Sequence, residues 1–341
     1  VQSTRQRRVA WLSFALACGL VAAACGGDDD GDAGAETTEV DGGEGGGSIN
    51  ISGSSTVEPI SSLAAEAFLA ENEGVEIAVD GPGTGDGFEL FCNGETEISD
   101  ASRPISEEEV ARCEENGVEY VELQIAYDGM AVMTSVDNDQ VECLNFADLY
   151  ALVGPESEGF TNWSDAQAIA TELGSDTRLP DAELVLAGPG TESGTYDSFV
   201  EIALEGYAEE RGQEATTRTD YASSADDNVI VATVESSPTS LGWVGFAYAE
   251  EAGDTVRTIP IAAEPGGECV EPTPETISDG SYPLSRPLFI YVNTAKAQEN
   301  AALADFVDFY LENLTELVEE GGYVTLPDDQ VEATREAWAS R

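Results

Sequence analysis

The chain has 341 residues, with 13 Lys and Arg against 68 Asp and Glu, no histidine, and a formal net charge of −55. Such a balance excludes a nucleic-acid binder, which needs a basic footprint, and the missing histidine excludes a Ser-His-Asp triad. At 41% hydrophobic residues the length suffices for a sizeable core in two domains.

At the N-terminus Arg5, Arg7 and Arg8 precede an apolar run at 9–24, VAWLSFALACGLVAAA. It is too short, and too rich in small residues at its end, for a typical membrane span. Residues 1–24 are therefore expected to be an export signal peptide. The small residues before Cys25 resemble the lipobox of bacterial lipoproteins, which implies lipidation of that cysteine. Residues 25–47, acidic and Gly-rich, read as a flexible tether. The expected location is the outer face of the cytoplasmic membrane, held by a lipid anchor.

From Ser48 onward β-branched runs alternate with helical stretches: INISG, the helix VEPISSLAAEAFLAENEG, VEIAVDG, a glycine-rich turn with a helix, EISDAS, the helix SEEEVARCEENG, and EYVELQIAYDGMAVMTS. A second unit starts near VDNDQ, with a strand in AELVLAGPG, a helix in SGTYDSFVEIAL, and further elements in SLGWVGFAYAEEA and TVRTIPIA. The strand SRPLFIYVNT and the helices ENAALADFVDFYLENL and PDDQVEATREAWA close the chain. This alternation predicts an α/β fold with mostly parallel sheets. Four cysteines fall in the folded part, Cys92, Cys113, Cys143 and Cys269, an even count that suits two disulfides in an exported chain. Of the three pairings, Cys92–Cys113 and Cys143–Cys269 is favoured: the first closes a local loop and the second ties two distant segments together.

The helix opening near Thr56 carries an apolar stripe of Ile60, Leu63, Ala64, Ala67 and Phe68, with a hydroxyl N-cap offered by STVEP. A similar layout recurs where Ser193, Gly194 and Thr195 open a helix that should bury Phe199, Ile202 and Ala203. A helix mouth presents unsatisfied N–H groups and the positive end of the backbone dipole, so a small oxyanion can sit there without a lysine. Gly53, Ser54, Ser55 and Thr56 add close backbone approach and hydroxyl donors. Each mouth alone is explained by capping; a third glycine-and-threonine turn, DGPGTGDGF at 80–88, makes coincidence less attractive. In SDASRPISEEEV, Arg103 brings a cation and Asp100 an acceptor, although the two could simply pair at a helix start. A carboxylate beside an anion is tolerable if the anion has a proton to donate, which favours phosphate over sulfate. No catalytic arrangement competes: GxSxG is absent, and the sole lysine, Lys296, is expected in an exposed loop, so no enzyme is expected. Acidic pairs such as Asp226-Asp227 and Asp328-Asp329 lack the ligand spacing of a calcium loop, and neither a metal nor another cofactor is expected.

The segments SGSSTVEP, GPGTGDGF, SDASRPI, GPGTESGTYDSF, SSADDNVIV and LGWVGFAYA, in this order, resemble the phosphate-binding proteins of ABC-type phosphate importers, the PstS type. This resemblance implies a two-lobed periplasmic-binding-protein fold, each lobe a mostly parallel sheet flanked by helices, with two hinge crossovers. It implies inorganic phosphate between the lobes, delivered to a membrane permease of an ABC importer, and a monomer. Matched position by position, Ser55, Thr56 and the Val57 amide form the first mouth, Thr84 the second turn, Asp100 the proton acceptor, and Ser193, Gly194 and Thr195 the donors of the second lobe. Better-known members have an arginine at the place of Pro189, and Arg103 is the expected substitute. The lobes are expected at 48–134 with 285–341, and at 135–284. A binding protein for sulfate or molybdate is the alternative.

Overall fold

The computed structural model describes residues 47–341 except Glu192. The expected signal peptide, Cys25 and nearly all of the tether lie outside the described residues. Eleven strands are named here in chain order: β1 Ser48–Gly53, β2 Glu76–Asp80, β3 Ile98–Ala101, β4 Tyr120–Ser135, β5 Leu144–Asn145, β6 Val185–Gly188, β7 Ala222–Ser223, β8 Ser240–Gly245, β9 Val256–Thr258, β10 Ile261–Ala262 and β11 Ser285–Asn293.

The main sheet runs β2-β1-β3-β11-β4-β8-β6-β7, with β9 also paired to β4. The short connecting strands pair in parallel, β1 with β2 and β3, β6 with β7 and β8, as the strand–helix alternation requires. The two long strands break that pattern: β11 runs antiparallel to β3 and β4, and β4 antiparallel to β8 and β9, so the sheet is mixed.

The 16 residues of β4 serve three partners, β11 along the first part and β8 and β9 along the last. Through Gly129 they pair with β11, and from Met130 onward with β8. At the change of partner the Met130 amide donates to the Leu284 carbonyl at 3.0 Å, one residue before β11 begins. The chain therefore passes between two halves of the sheet side by side, at Gly129–Met130 and at Leu284–Ser285.

Both faces of the first half are covered. On one face the helix α1, Glu58–Glu71, packs against the helix Ala301–Glu312, with Phe68 edge-on to Phe306 and Phe309. Its buried stripe is Ile60, Ser61, Ala64, Ala65 and Phe68, so Ala65 takes the place expected for Ala67, which is exposed. On the other face α2, Thr84–Cys92, and α3, Glu107–Asn116, enclose a small core of Phe88, Phe91, Cys92, Cys113, Phe289 and Tyr291. In the second half Phe199 stacks on Trp243, with ring centroids 4.8 Å apart. Cys92–Cys113 joins α2 to α3, and Cys143–Cys269 joins the segment before β5 to the one after β10, both as the spacing favours.

Gly87 lets α2 rest backbone to backbone on the end of β1: a Cβ there would stand 2.4 Å from the Gly53 Cα and 2.8 Å from the Ser52 carbonyl oxygen. Gly87→Ala is expected to destabilise the protein by about 1–3 kcal/mol, since neither backbone can yield without moving a strand. A thermal midpoint equal to that of the parent chain would contradict this contact.

Candidate functional site

A cleft of about 320 Å³ is lined by Ser54, Ser55, Thr56, Gly83, Thr84, Gly85, Ser102, Arg103, Asp197, Glu201 and Arg286. Three of the turns singled out in the sequence thus meet there, from the C-terminal ends of β1, β2 and β3, while Asp197 and Glu201 reach in from the helical segment after β6.

The first mouth is not a hydroxyl-capped helix. α1 starts at Glu58 with Val57 in the N-cap position and no side-chain cap, contrary to the hydroxyl cap expected in STVEP. Ser54 Oγ accepts from the Thr56 amide at 3.2 Å, and the other two hydroxyls are engaged across the cleft: Ser55 Oγ donates to Asp197 Oδ2 at 2.8 Å, and Thr56 Oγ1 lies 3.1 Å from Ser198 Oγ. Val57 itself does not line the cleft. Its side chain is fully buried and its amide donates to the Ser54 carbonyl at 3.0 Å, closing a turn, so the expected free Val57 donor is not found.

Thr84, the first residue of α2, accepts from the Ser102 amide at 3.2 Å and shares a hydrogen bond of 3.0 Å with the Ser102 hydroxyl. Arg103 stands at the cleft edge, a third exposed, gripped by both oxygens of Glu109 at 2.8 Å. That grip raises the Arg103 pKa above its ordinary value. Burial works to raise the Glu109 pKa, but Arg103 and the Ser106 capping box together hold it below the usual carboxylate value. Asp100 is not the partner of Arg103.

Asp100 lies in β3, fully buried behind the first mouth, and does not itself line the cleft. Its carbonyl accepts from the Ser54 amide at 2.9 Å, and its Oδ1 accepts from Ser61 Oγ at 3.0 Å. Its Oδ2 is buried without a hydrogen-bond partner. Burial pushes this carboxyl up to about 7, the Ser61 hydroxyl opposes the shift, and the Glu58 charge adds to it.

The second mouth behaves differently from the first. Ser193 caps the helix Gly194–Phe199 by accepting from the Thr195 amide at 3.2 Å, and neither Ser193 nor Thr195 lines the cleft. Gly194 allows the two walls to touch, because a Cβ at that position would sit 3.1 Å from both the Ser55 carbonyl oxygen and the Thr56 Cα. Beyond it, Phe199 and Ala203 are buried as expected and Ile202 is half-buried.

The sequence reading missed the centre of the cleft. Arg286, at the start of β11, is 9% exposed. Its Nη2 donates to Thr56 Oγ1 at 3.0 Å and to Ser198 Oγ at 2.6 Å, and its Nη1 donates to Glu201 Oε2 at 2.5 Å. Nε lies 3.5 Å from Asp128 Oδ2, the residue opposite Arg286 in the β4–β11 ladder. Ser198 Oγ is also within 2.7 Å of Asp128 Oδ2. Burial raises the Asp128 pKa and the Arg286 charge works against it. The available signal was the tripeptide Ser285-Arg286-Pro287, which repeats Ser102-Arg103-Pro104 at the point where the chain returns to the first half of the sheet.

A donor-rich cleft between two halves of a sheet linked by two adjacent crossings defines a hinged solute-binding protein. The PBP superfamily domain model matches residues 36–313. Protein SphX of Synechocystis is 41% identical over 284 residues, covering 83% of this chain and 79% of that protein. Phosphate-binding protein PstS of Staphylococcus saprophyticus is 33% identical over 320 residues, covering 93% and 90%. A crystal structure titled "a possible phosphate binding protein", from Planctomyces limnophilus, superposes with a TM-score of 0.78 at 36% identity, over 87% of this chain and 99% of that one. The chain belongs to the periplasmic-binding-protein superfamily, in the PstS-type branch, with its two-lobed, hinge-crossed fold. This is a family of solute-binding proteins and not of enzymes. Among the described residues no helix is long and apolar enough to cross a membrane.

Proposed function

We propose that this protein binds inorganic phosphate in the cleft and delivers it to the membrane permease of an ABC importer. The observation that carries the reading is the pairing of a donor-rich wall, Ser55, Thr56, Thr84, Ser102, Arg103 and Arg286, with one acceptor behind it, the unpartnered Oδ2 of Asp100. Guanidinium and hydroxyl groups suit a tetrahedral oxyanion. A lone buried acceptor suits an oxyanion that still carries a proton, as phosphate does near neutral pH and sulfate does not.

Of the residues matched from the family, Ser55, Thr56, Thr84 and Arg103 are the proposed direct donors and Asp100 the proton acceptor. Ser193, Gly194 and Thr195 are proposed to complete the second wall as the lobes adjust around the ion. The proposed lobe boundary falls inside β4 at Gly129–Met130, ahead of the expected Thr134, and the change of strand partner at that point supports it. Lipidation at Cys25 would hold a monomeric receptor at the outer membrane face, within reach of its permease.

Isothermal calorimetry of the chain from Cys25 onward, with phosphate and with sulfate, tests the reading. Saturable phosphate binding with much weaker sulfate binding is expected. Tight sulfate or molybdate binding without phosphate binding would replace it with the other-oxyanion reading.

A further inference from the structure

Glu201 is an unusual residue to find inside an anion cleft. Its side chain is about half exposed, lines the cleft, and sits on Arg286 through a hydrogen bond of 2.5 Å. Its charge is also felt by Arg103, on the opposite wall. It is the second residue of a π-helical stretch, Val200–Leu204, that interrupts the helix running from Gly194; such widened turns recur at functional sites. Nη2 of Arg286 donates to Thr56 and Ser198, while its Nε is buried without a hydrogen-bond partner and has the buried countercharge of Asp128 at 3.5 Å. Glu201 is thus a second carboxylate on a guanidinium that already has one, and it points into the space an oxyanion would take.

We propose that Glu201 is a built-in competitor for the site: its carboxylate stands on Arg286 where an oxygen of the tetrahedral oxyanion is bound, and the ligand must displace it. The inference rests on the phosphate reading above. An internal carboxylate of this kind keeps the Arg286 guanidinium hydrogen-bonded in the unliganded protein, so an incoming ion gains only the difference between its own contacts and those of Glu201. It also sets a threshold: ions that offer one weak acceptor do not displace it, whereas a multiply charged ion with several acceptors does. A carboxylate that merely positioned Arg286 for the ligand would act in the opposite direction, and its removal would weaken binding.

The two roles separate in the variants Glu201→Gln and Glu201→Ala, titrated with inorganic phosphate and with sulfate by calorimetry beside the parent chain. Competition is expected to show as at least a tenfold lower phosphate Kd in both variants, with sulfate tightened by a similar factor because both ions use Arg286. An unchanged or weaker phosphate Kd in the variants, with the parent binding phosphate normally, overturns the competitor role and leaves the phosphate reading standing. A parent chain that gives no phosphate binding overturns both. Loss of the folded far-ultraviolet dichroism in both variants would assign Glu201 to the fold and overturn the proposal as well.

Discussion

Arg286→Met is expected to weaken phosphate binding by about a hundredfold or more, the scale of loss when a buried, hydrogen-bonded charge is removed from a binding site. Arg286 is almost fully buried, contacts Thr56 from the first mouth and Ser198 from the second lobe, and has its counterion Asp128 directly across the ladder. Methionine would leave Asp128 buried without that countercharge, a loss of up to about 3–5 kcal/mol for a broken buried pair. The thermal midpoint should therefore fall together with the affinity. Protonation of Asp128, already favoured by burial, softens the stability loss at acid pH and leaves the affinity loss in place. Arg103→Met is the matched control. Arg103 is a third exposed and shares its charge with Glu109, so its removal is expected to cost about tenfold. Calorimetry on the two variants decides which guanidinium stands in for the arginine missing at Pro189. A larger loss at Arg103 would return that role to the residue favoured by sequence.

The contrast between these two arginines shows what a linear reading can reach. Turns made of glycine and hydroxyl residues announce themselves locally, and Ser55, Thr56, Thr84 and Arg103 do converge on one cleft. Strands alternating with helices likewise gave the α/β class. For Arg286 the only local signal was the tripeptide Ser285-Arg286-Pro287, the same as that around Arg103. Within SRPLFIY it reads as the polar start of a buried strand, and its meaning depends on antiparallel registry with Asp128 and on contact with Thr56, 230 residues away. Ser198 and Glu201 were hidden for a related reason: in SGTYDSFVEIAL they look like the solvated face of an amphipathic helix, and only the approach of Gly194 to Ser55 and Thr56 turns that face toward the cleft. The Val57 amide shows the converse. A helix mouth guarantees unpaired amides somewhere in its first turn, but a tight turn on the Ser54 carbonyl consumes this one. The partner change within β4 was also missed: Asp128-Gly129 stands at that point, but a polar residue and a glycine inside sixteen residues of continuous strand do not by themselves say that one neighbour gives way to another.

Asp100→Asn should alter ion selectivity and the pH profile of stability at once. In the parent chain burial lifts the Asp100 carboxyl from 3.8 to about 7, so the folded protein holds a proton there that the unfolded chain releases at lower pH. The stabilisation from that proton is complete below the unfolded value and is lost as the pH rises through about 7. Asparagine is neutral throughout. The variant should therefore gain stability relative to the parent between about pH 4 and about pH 7, read as a difference in urea midpoints that rises across this range and levels off above it. For the ligand the consequence runs the other way. A phosphate hydroxyl donating to the ionised Oδ2 would satisfy an acceptor that otherwise has no partner, and would offset the cost of ionising a buried acid. Sulfate brings no proton and would face that carboxylate as a repelling charge. An asparagine amide can donate to either ion, so the ratio of sulfate to phosphate Kd should shrink by at least tenfold, mainly through tighter sulfate binding. Should the urea profile flatten while the ratio stays at its parent value, Asp100 is a buried acid of the fold alone, and discrimination must come from the cleft-lining donors and the carboxylates of Asp197 and Glu201.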